Sequence, residues 1–274
     1  MSGRRREGEL THAQLSTPRW ALILGASSGF GAATAKELAK AGYHIAGVHL
    51  DRAAGVAQVE QIKQAIEESG QRAWYFNINA ADEKKREAVL DELQADLEKN
   101  AGTLAVLMHS LAFGTLKPYI GDDVISQRNM NMTLDVMGHS LAYWTQSVVK
   151  RGMMGYGGRI FAMTSSGSTR VITSYGAVSA AKCALESHTR QLAVELAPRG
   201  ITVNCLRGGV TKTPASERIP DSDKLFAEAV RRNPHRRLTT PEDVAQAVVA
   251  LSKPGTDWIT GNVINVDGGE DIAG

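Results

Sequence analysis

Cysteine is nearly absent from this chain. Cys183 and Cys205 are the two among 274 residues, and neither sits in a CxxC or His-rich spacing. That argues against a disulfide framework and a structural zinc site. Long apolar runs are missing too: none approaches the roughly 18 residues of a membrane span, and no apolar h-region follows the N-terminal arginines, so no secretory signal is expected. Nor is there a surplus of one charge. Lys and Arg number 31 against 29 Asp and Glu, a formal charge of +2. All of that surplus falls in the first 19 residues, where Arg4, Arg5, Arg6 and Arg19 stand against Glu7 and Glu9. A body whose charges cancel offers no broad basic face to a nucleic-acid backbone. What is present, 43% hydrophobic and 22% charged residues, is a folded composition with enough chain for a large core. The expectation is a cytoplasmic globular protein, with no nucleic-acid partner and no membrane segment.

Residues 1–18 are polar, end in Pro18 and read as a flexible extension. From residue 19 the pattern alternates. Trp20–Leu24, His44–His49, Arg72–Phe76, Leu104–Met108, Arg159–Met163, Ile201–Leu206 and Val263–Val266 are short apolar runs. Between them lie helical patterns over about 32–41, 55–69, 82–100, 130–151, 175–196, 222–232 and 241–251. Strands separated by helices make right-handed βαβ units. The expected fold is α/β: one doubly wound domain, 19–274, with a mostly parallel seven-stranded sheet and helices on both faces.

The first strand runs into Gly25-Ala-Ser-Ser-Gly29-Phe-Gly31, which opens the first helix. Small residues let a backbone approach a pyrophosphate, and a helix N-terminus presents free N–H groups and a positive dipole end to it. Gly25, Ser27, Ser28, Gly29, Phe30 and Gly31 are therefore candidate dinucleotide contacts. A glycine-rich turn kept for packing alone is the bland alternative. Its place at the first crossover favours the nucleotide.

Tyr175 and Lys182 stand seven residues apart, two helical turns, and so share a helix face. An ammonium beside a phenol stabilises the phenolate and would lower the tyrosine pKa, leaving Tyr175 ready to donate a proton or a hydrogen bond. On an arbitrary helix the same pair would be a packed Tyr and a surface Lys.

The GxxxGxG spacing with this pair resembles the short-chain dehydrogenase/reductase family, over residues 19–269. Leu24 stands where the family usually has Thr. Ordinary members place Lys four residues after Tyr, where this chain has Ser179. Tyr-x6-Lys, His109-Ser110-Leu111-Ala112-Phe113, Asp135 with Ser140, and Ser165-Ser166-Gly167-Ser168-Thr169-Arg170 instead resemble the bacterial enoyl-[acyl-carrier-protein] reductases, in particular the NADPH-dependent Bacillus-type subgroup. The resemblance implies reduction of an enoyl thioester in fatty acid elongation, with Tyr175 donating to the thioester oxygen and Lys182 holding the nicotinamide ribose. It places Asn77 and Ile78 against the adenine and Ser110, Leu111, Ala112, Gly209, Thr211 and Thr213 around the cofactor. Ser165 falls where some such reductases carry a second tyrosine; it either bonds the thioester oxygen or caps a strand end.

At the end of the second strand His49 replaces the acid that would hold a ribose diol, and Arg52 suits a 2′-phosphate, which favours NADPH with NADH possible. Asp51-Arg52 as a solvated turn is the other reading. The resemblance further implies an acyl carrier protein as partner, with Arg231, Arg232, Arg236 and Arg237 a basic patch for it or else solvated helix-end charges, and a homotetramer formed through the helices at about 130–151 and 173–196. A carbonyl reductase of the same fold, or a cofactor-binding sensor, are the competing functions.

Overall fold

Trp20, Leu22 and Leu24 join one core layer and Ala21 and Ile23 another, and all five are fully buried in β1 (Arg19–Leu24). Side chains alternate along a strand, so a strand buried on both faces belongs in the middle of a sheet covered on both sides. The computed structural model, which describes residues 17–273, places it there. The other strands are β2 (Tyr43–His49), β3 (Ala73–Asn77), β4 (Thr103–His109), β5 (Arg159–Thr164), β6 (Thr202–Gly208) and β7 (Val263–Val266). They pair in the order β3-β2-β1-β4-β5-β6-β7, and every pairing is parallel. The sheet is thus wholly rather than mostly parallel.

The helices are α1 (Gly29–Lys40), α2 (Ala53–Glu68), α3 (Glu83–Lys99), α4 (Gln127–Leu134), α5 (Ser140–Lys150), α6 (Gly176–Leu196), α7 (Ser222–Arg232) and α8 (Pro241–Leu251). Leu38 of α1, Ile62 and Ile66 of α2, and Val244 and Val248 of α8 pack on the face of Ala21 and Ile23. Leu90 and Leu93 of α3, Trp144 and Val148 of α5, and Leu185 and Leu192 of α6 pack on the face of Trp20. Each such side chain contributes roughly 1.5–3 kcal/mol by leaving water.

From β1 the chain winds out to β3, then returns to lay β4 on the other side of β1. A doubly wound sheet has its ligand crevice at that reversal, outside the carboxyl ends of the strands. Residues 1–16 of the expected extension lie outside the described residues. Pro18 belongs to the fold, because its carbonyl accepts from the Thr103 N–H at 2.9 Å.

The helix expected over 130–151 begins at Gln127 and is interrupted. Between α4 and α5 lies a π-helical turn, Asp135–His139. Its Gly138 faces α6 so closely that a Cβ would sit 3.1 Å from the Ala181 carbonyl oxygen. No helix among the described residues is long and apolar enough to cross a membrane.

Candidate active site

Gly25 leaves β1 with φ +90° and Gly29 opens α1 with φ +51°, both in the left-handed region that favours glycine. A Cβ on Gly25 would collide with the Ser110 carbonyl, one on Gly31 with the Gly25 carbonyl, and one on Gly29 would lie 3.3 Å from Thr213 Cγ2. The glycines are therefore demanded first by packing of the loop on the exit of β4, on itself and on Thr213. Room for an anion comes second. Ser28 precedes α1 in an extended conformation, its side chain caps no N–H, and no acid occupies the first turn. An uncapped helix N-terminus carries free donors and a partial positive charge, so this cradle fits a pyrophosphate. Ser27 and Ser28 are partly exposed beside it. The Phe30 ring instead packs near Gly208, where a Cβ would come within 2.9 Å of it.

At the end of β2, His49 is buried and its Nδ1 lies 2.9 Å from Asp51 Oδ2. Asn77 is exposed, and its carboxamide is engaged with the backbone of the turn after β2. Its Oδ1 accepts from the Asp51 N–H at 3.1 Å and its Nδ2 donates to the Asp51 carbonyl at 2.9 Å. Asn77 thus clamps the turn after β2, and the Ile78 N–H closes the same corner on the His49 carbonyl at 2.8 Å. Arg52 is exposed, at the start of α2.

Beyond β4, the Ser110 N–H donates to the Leu24 carbonyl at 2.8 Å, and Ala112 is exposed. His109 is fully buried. Its Nε2 lies 2.8 Å from Ser140 Oγ, and that hydroxyl donates to the Val136 carbonyl at 2.7 Å, so the imidazole donates from Nε2. Its Nδ1 has no partner within the described chain. Burial, with the Lys182 charge, pushes the imidazole down to about 3. This His is neutral at ordinary pH and braces the π turn.

Tyr175 precedes α6 rather than lying in it, reached through Ser174 at φ +59°. Its ring rests on the Ser165–Ser168 turn, where a Cβ on Gly167 would lie 2.6 Å from it. The Gly167 N–H donates to Ser165 Oγ at 3.1 Å, and Ser165 acts to lower the phenol against the effect of burial. Ser179 Oγ donates to the Gly167 carbonyl at 2.5 Å and ties α6 to that turn.

Lys182 is buried. Its Nζ donates to the Met163 carbonyl at 2.7 Å and to the Leu111 carbonyl at 3.3 Å. The expected lowering of the tyrosine by the ammonium is not found. Burial raises the Tyr175 phenol, opposed by its bond to Ser165, because the ammonium is held toward two carbonyls at the sheet. Lys182 is itself brought down to about 8 by burial, with Cys205 and Glu186 acting the other way.

After β6, Thr213 meets the glycine loop, with its N–H on Ser216 Oγ at 2.9 Å. Thr211 turns inward, buried, its hydroxyl donating to the Gly209 carbonyl at 3.0 Å. Gly209 packs on Thr239 and Glu270. The expected basic patch is largely neutralised. Arg231 pairs with Glu228, Arg237 with Asp243, and Arg232 with the buried Glu270 at 2.9 Å. Among the described residues no group of three or more His, Cys, Asp or Glu is placed to hold a metal. The sequence reading missed Arg207 and Glu186, an ion pair next to this site. The available signal was that Arg207 is the one charged residue of β6.

A family model described as "Enoyl-(Acyl carrier protein) reductase" matches residues 25–270. The chain is 31% identical over 195 residues to the enoyl-[acyl-carrier-protein] reductase [NADH] of Aquifex aeolicus, covering 69% of this chain and 72% of that protein. It is 30% identical over 252 residues to the cis-4-hydroxycyclohexanecarboxylate dehydrogenase of Sinomonas cyclohexanicum, covering 92% and 96%. The crystal structure of the Aquifex aeolicus reductase superposes with a TM-score of 0.79 at 26% identity, over 94% of this chain and 97% of that one.

Proposed function

The chain belongs to the short-chain dehydrogenase/reductase superfamily, with its likeness to the enoyl-(acyl carrier protein) reductases, and from that membership we propose that it reduces the 2,3-double bond of an enoyl thioester, as in fatty acid elongation. It is an oxidoreductase of a nicotinamide-dinucleotide-binding fold. The proposal concerns which reaction it performs.

The Tyr-x6-Lys spacing of Tyr175 and Lys182, together with the family match over residues 25–270, carries the reading. Burial raises the Tyr175 phenol, which suits it to donate to a substrate oxygen. The Gly167 N–H donates to Ser165 Oγ, and Ser165 acts to lower the phenol against the effect of burial. The Tyr175 proton would point at a substrate oxygen. A bound reduced nicotinamide would supply hydride to C3. As negative charge collects on the thioester oxygen, Tyr175 stabilises it more than it does the neutral carbonyl, which is the condition for catalysis. Lys182 uses two of its three N–H groups on backbone carbonyls and keeps the third for a ribose hydroxyl.

The test is cofactor oxidation with crotonyl against acetoacetyl thioester, each on coenzyme A and on acyl carrier protein. Oxidation is expected with the crotonyl thioester only. Oxidation with acetoacetyl thioester alone means a carbonyl reductase, a reading favoured by the dehydrogenase match along nearly the whole chain; oxidation with neither means a cofactor-binding sensor. The proposed carrier is acyl carrier protein, met first by the exposed Arg236, since Arg231, Arg232 and Arg237 are engaged with Glu228, Glu270 and Asp243. A salt-sensitive advantage in kcat/KM for the carrier-bound substrate is expected, and equal values would remove this role.

NADPH is proposed over NADH because Arg52 is exposed at the end of β2 while the Asp51 carboxylate is turned to His49. Arg52→Ala is expected to raise KM for NADPH about tenfold and leave KM for NADH nearly unchanged, as loss of one charge-assisted bond implies. Equal effects would make Arg52 part of a solvated turn.

A further inference from the structure

We propose that Arg207 and Glu186 are positioning residues of the reductase site, a mostly buried ion pair that steadies the Ser165 turn beneath Tyr175 through one partner and stands one helical turn from Lys182 with the other. Arg207 on β6 and Glu186 on α6 are 11% and 12% exposed, with Nη2 3.4 Å from Oε1. Arg207 Nη2 also donates to Ser168 Oγ at 3.2 Å. Ser168 Oγ donates to the Ser165 carbonyl at 2.9 Å, and the same turn packs under the Tyr175 ring, where a Cβ on Gly167 would lie 2.6 Å from it. Two further contacts hold the guanidinium in place. Its Nη1 donates to Asp271 Oδ2 at 3.2 Å, and Arg170 grips Asp271 through the backbone carbonyl at 2.5 Å and a charge contact to Oδ1 at 3.0 Å.

Glu186 lies one helical turn beyond Lys182, and its Oε1 accepts from Thr164 Oγ1 at 2.6 Å, from the last residue of β5. The same carboxylate therefore touches the strand end that leads to Ser165 and sits on the helix that carries Lys182. Burying two charges is costly, and an apolar pair of similar volume would serve stability at least as well. The Arg207 Nε has no partner within the described chain despite being buried. Such an arrangement is better explained by what it orients than by the energy it contributes.

The groups that act on Lys182 come from three elements: Glu186 on its own helix, Cys205 on β6 and His109 on β4. His109 is neutral, and burial pushes the Cys205 thiol up to about 11. Below that, Glu186 supplies the negative charge of the three. It opposes the lowering of Lys182 by burial, so its removal makes the ammonium lose its proton at lower pH.

The inference rests on Tyr175 and Lys182 being the working groups, as proposed above, and its test does not need the enoyl substrate. Glu186→Gln, Arg207→Gln and Arg207→Lys would be compared by thermal melting, by NADPH binding as a function of pH followed by fluorescence titration, and by kinetics with crotonyl thioester. In Glu186→Gln the alkaline limb of NADPH binding is expected to move down by about half a pH unit or more, roughly a threefold loss of affinity at a fixed alkaline pH. Arg207→Gln is expected to lower kcat about tenfold with KM little changed, as misplacement of a catalytic group does, and Arg207→Lys to recover most of it. Lower melting temperatures with an unmoved binding limb and unchanged kcat would overturn the proposal and leave the pair a brace of the fold. If crotonyl thioester is not a substrate, the binding limb of the isosteric Glu186→Gln still decides.

Discussion

Tyr175→Phe is expected to lower kcat by about 10²–10³ while cofactor affinity changes by less than about twofold, the pattern of a donor used only as charge develops. The ring is what packs against Gly167, and phenylalanine keeps it. Lys182 hangs from the Met163 and Leu111 carbonyls, neither of which depends on the phenol. What disappears is one O–H. Steady-state kinetics beside a cofactor titration separates the two effects. Wild-type turnover in this variant would take Tyr175 out of the mechanism.

The largest effect on stability is expected from Gly25→Ala. Alanine at φ +90° carries a conformational penalty of about 1–2 kcal/mol, and its Cβ would run into the Ser110 carbonyl, a backbone atom that cannot swing aside. Overpacking of that kind costs about 1–3 kcal/mol more. The sum is a sizeable part of the roughly 5–15 kcal/mol by which a domain is stable. Gly70→Ala is the comparison, since it has φ +78° with nothing within 4 Å of the added Cβ. It is expected to show only the conformational penalty. Equal losses for the two in denaturant unfolding would mean that the exit of β4 yields to the methyl.

The strands are legible because each is a brief apolar run, buried on both faces in the central strands, and only their ends differ: β1 gains Arg19, β6 gains Arg207 and Gly208. Side-chain partners were not legible. Asn77 reads as an adenine contact because amides suit adenine; its bonds to the Asp51 backbone come from a different strand end and leave no trace in local sequence. Tyr175 and Lys182 stand out by their spacing, but spacing alone does not tell that the ammonium turns to carbonyls at the ends of β4 and β5. Three of the four clustered arginines likewise have acids as partners, and Glu270, the partner of Arg232, lies 38 residues further on. Periodicity reports which face is buried. It does not report what a buried polar atom meets there.

The π turn at Asp135–His139 has a consequence for how this region can change. Each residue of a helix advances the face by about 100°, so the one extra residue in a wide turn resets the angular phase of everything after it. On the α4 side, the phase brings the Thr133 hydroxyl to the Thr115 N–H at 3.1 Å, in the segment that follows β4. On the α5 side, it sends Trp144 into the core, with Nε1 on the Ala80 carbonyl at 2.8 Å. With the two phases uncoupled, α4 can vary its face toward the mouth of the crevice without rotating Trp144 out of its socket. Loss of one residue from 135–139 would join the two again as one rigid rod, and one of the two contacts would have to break.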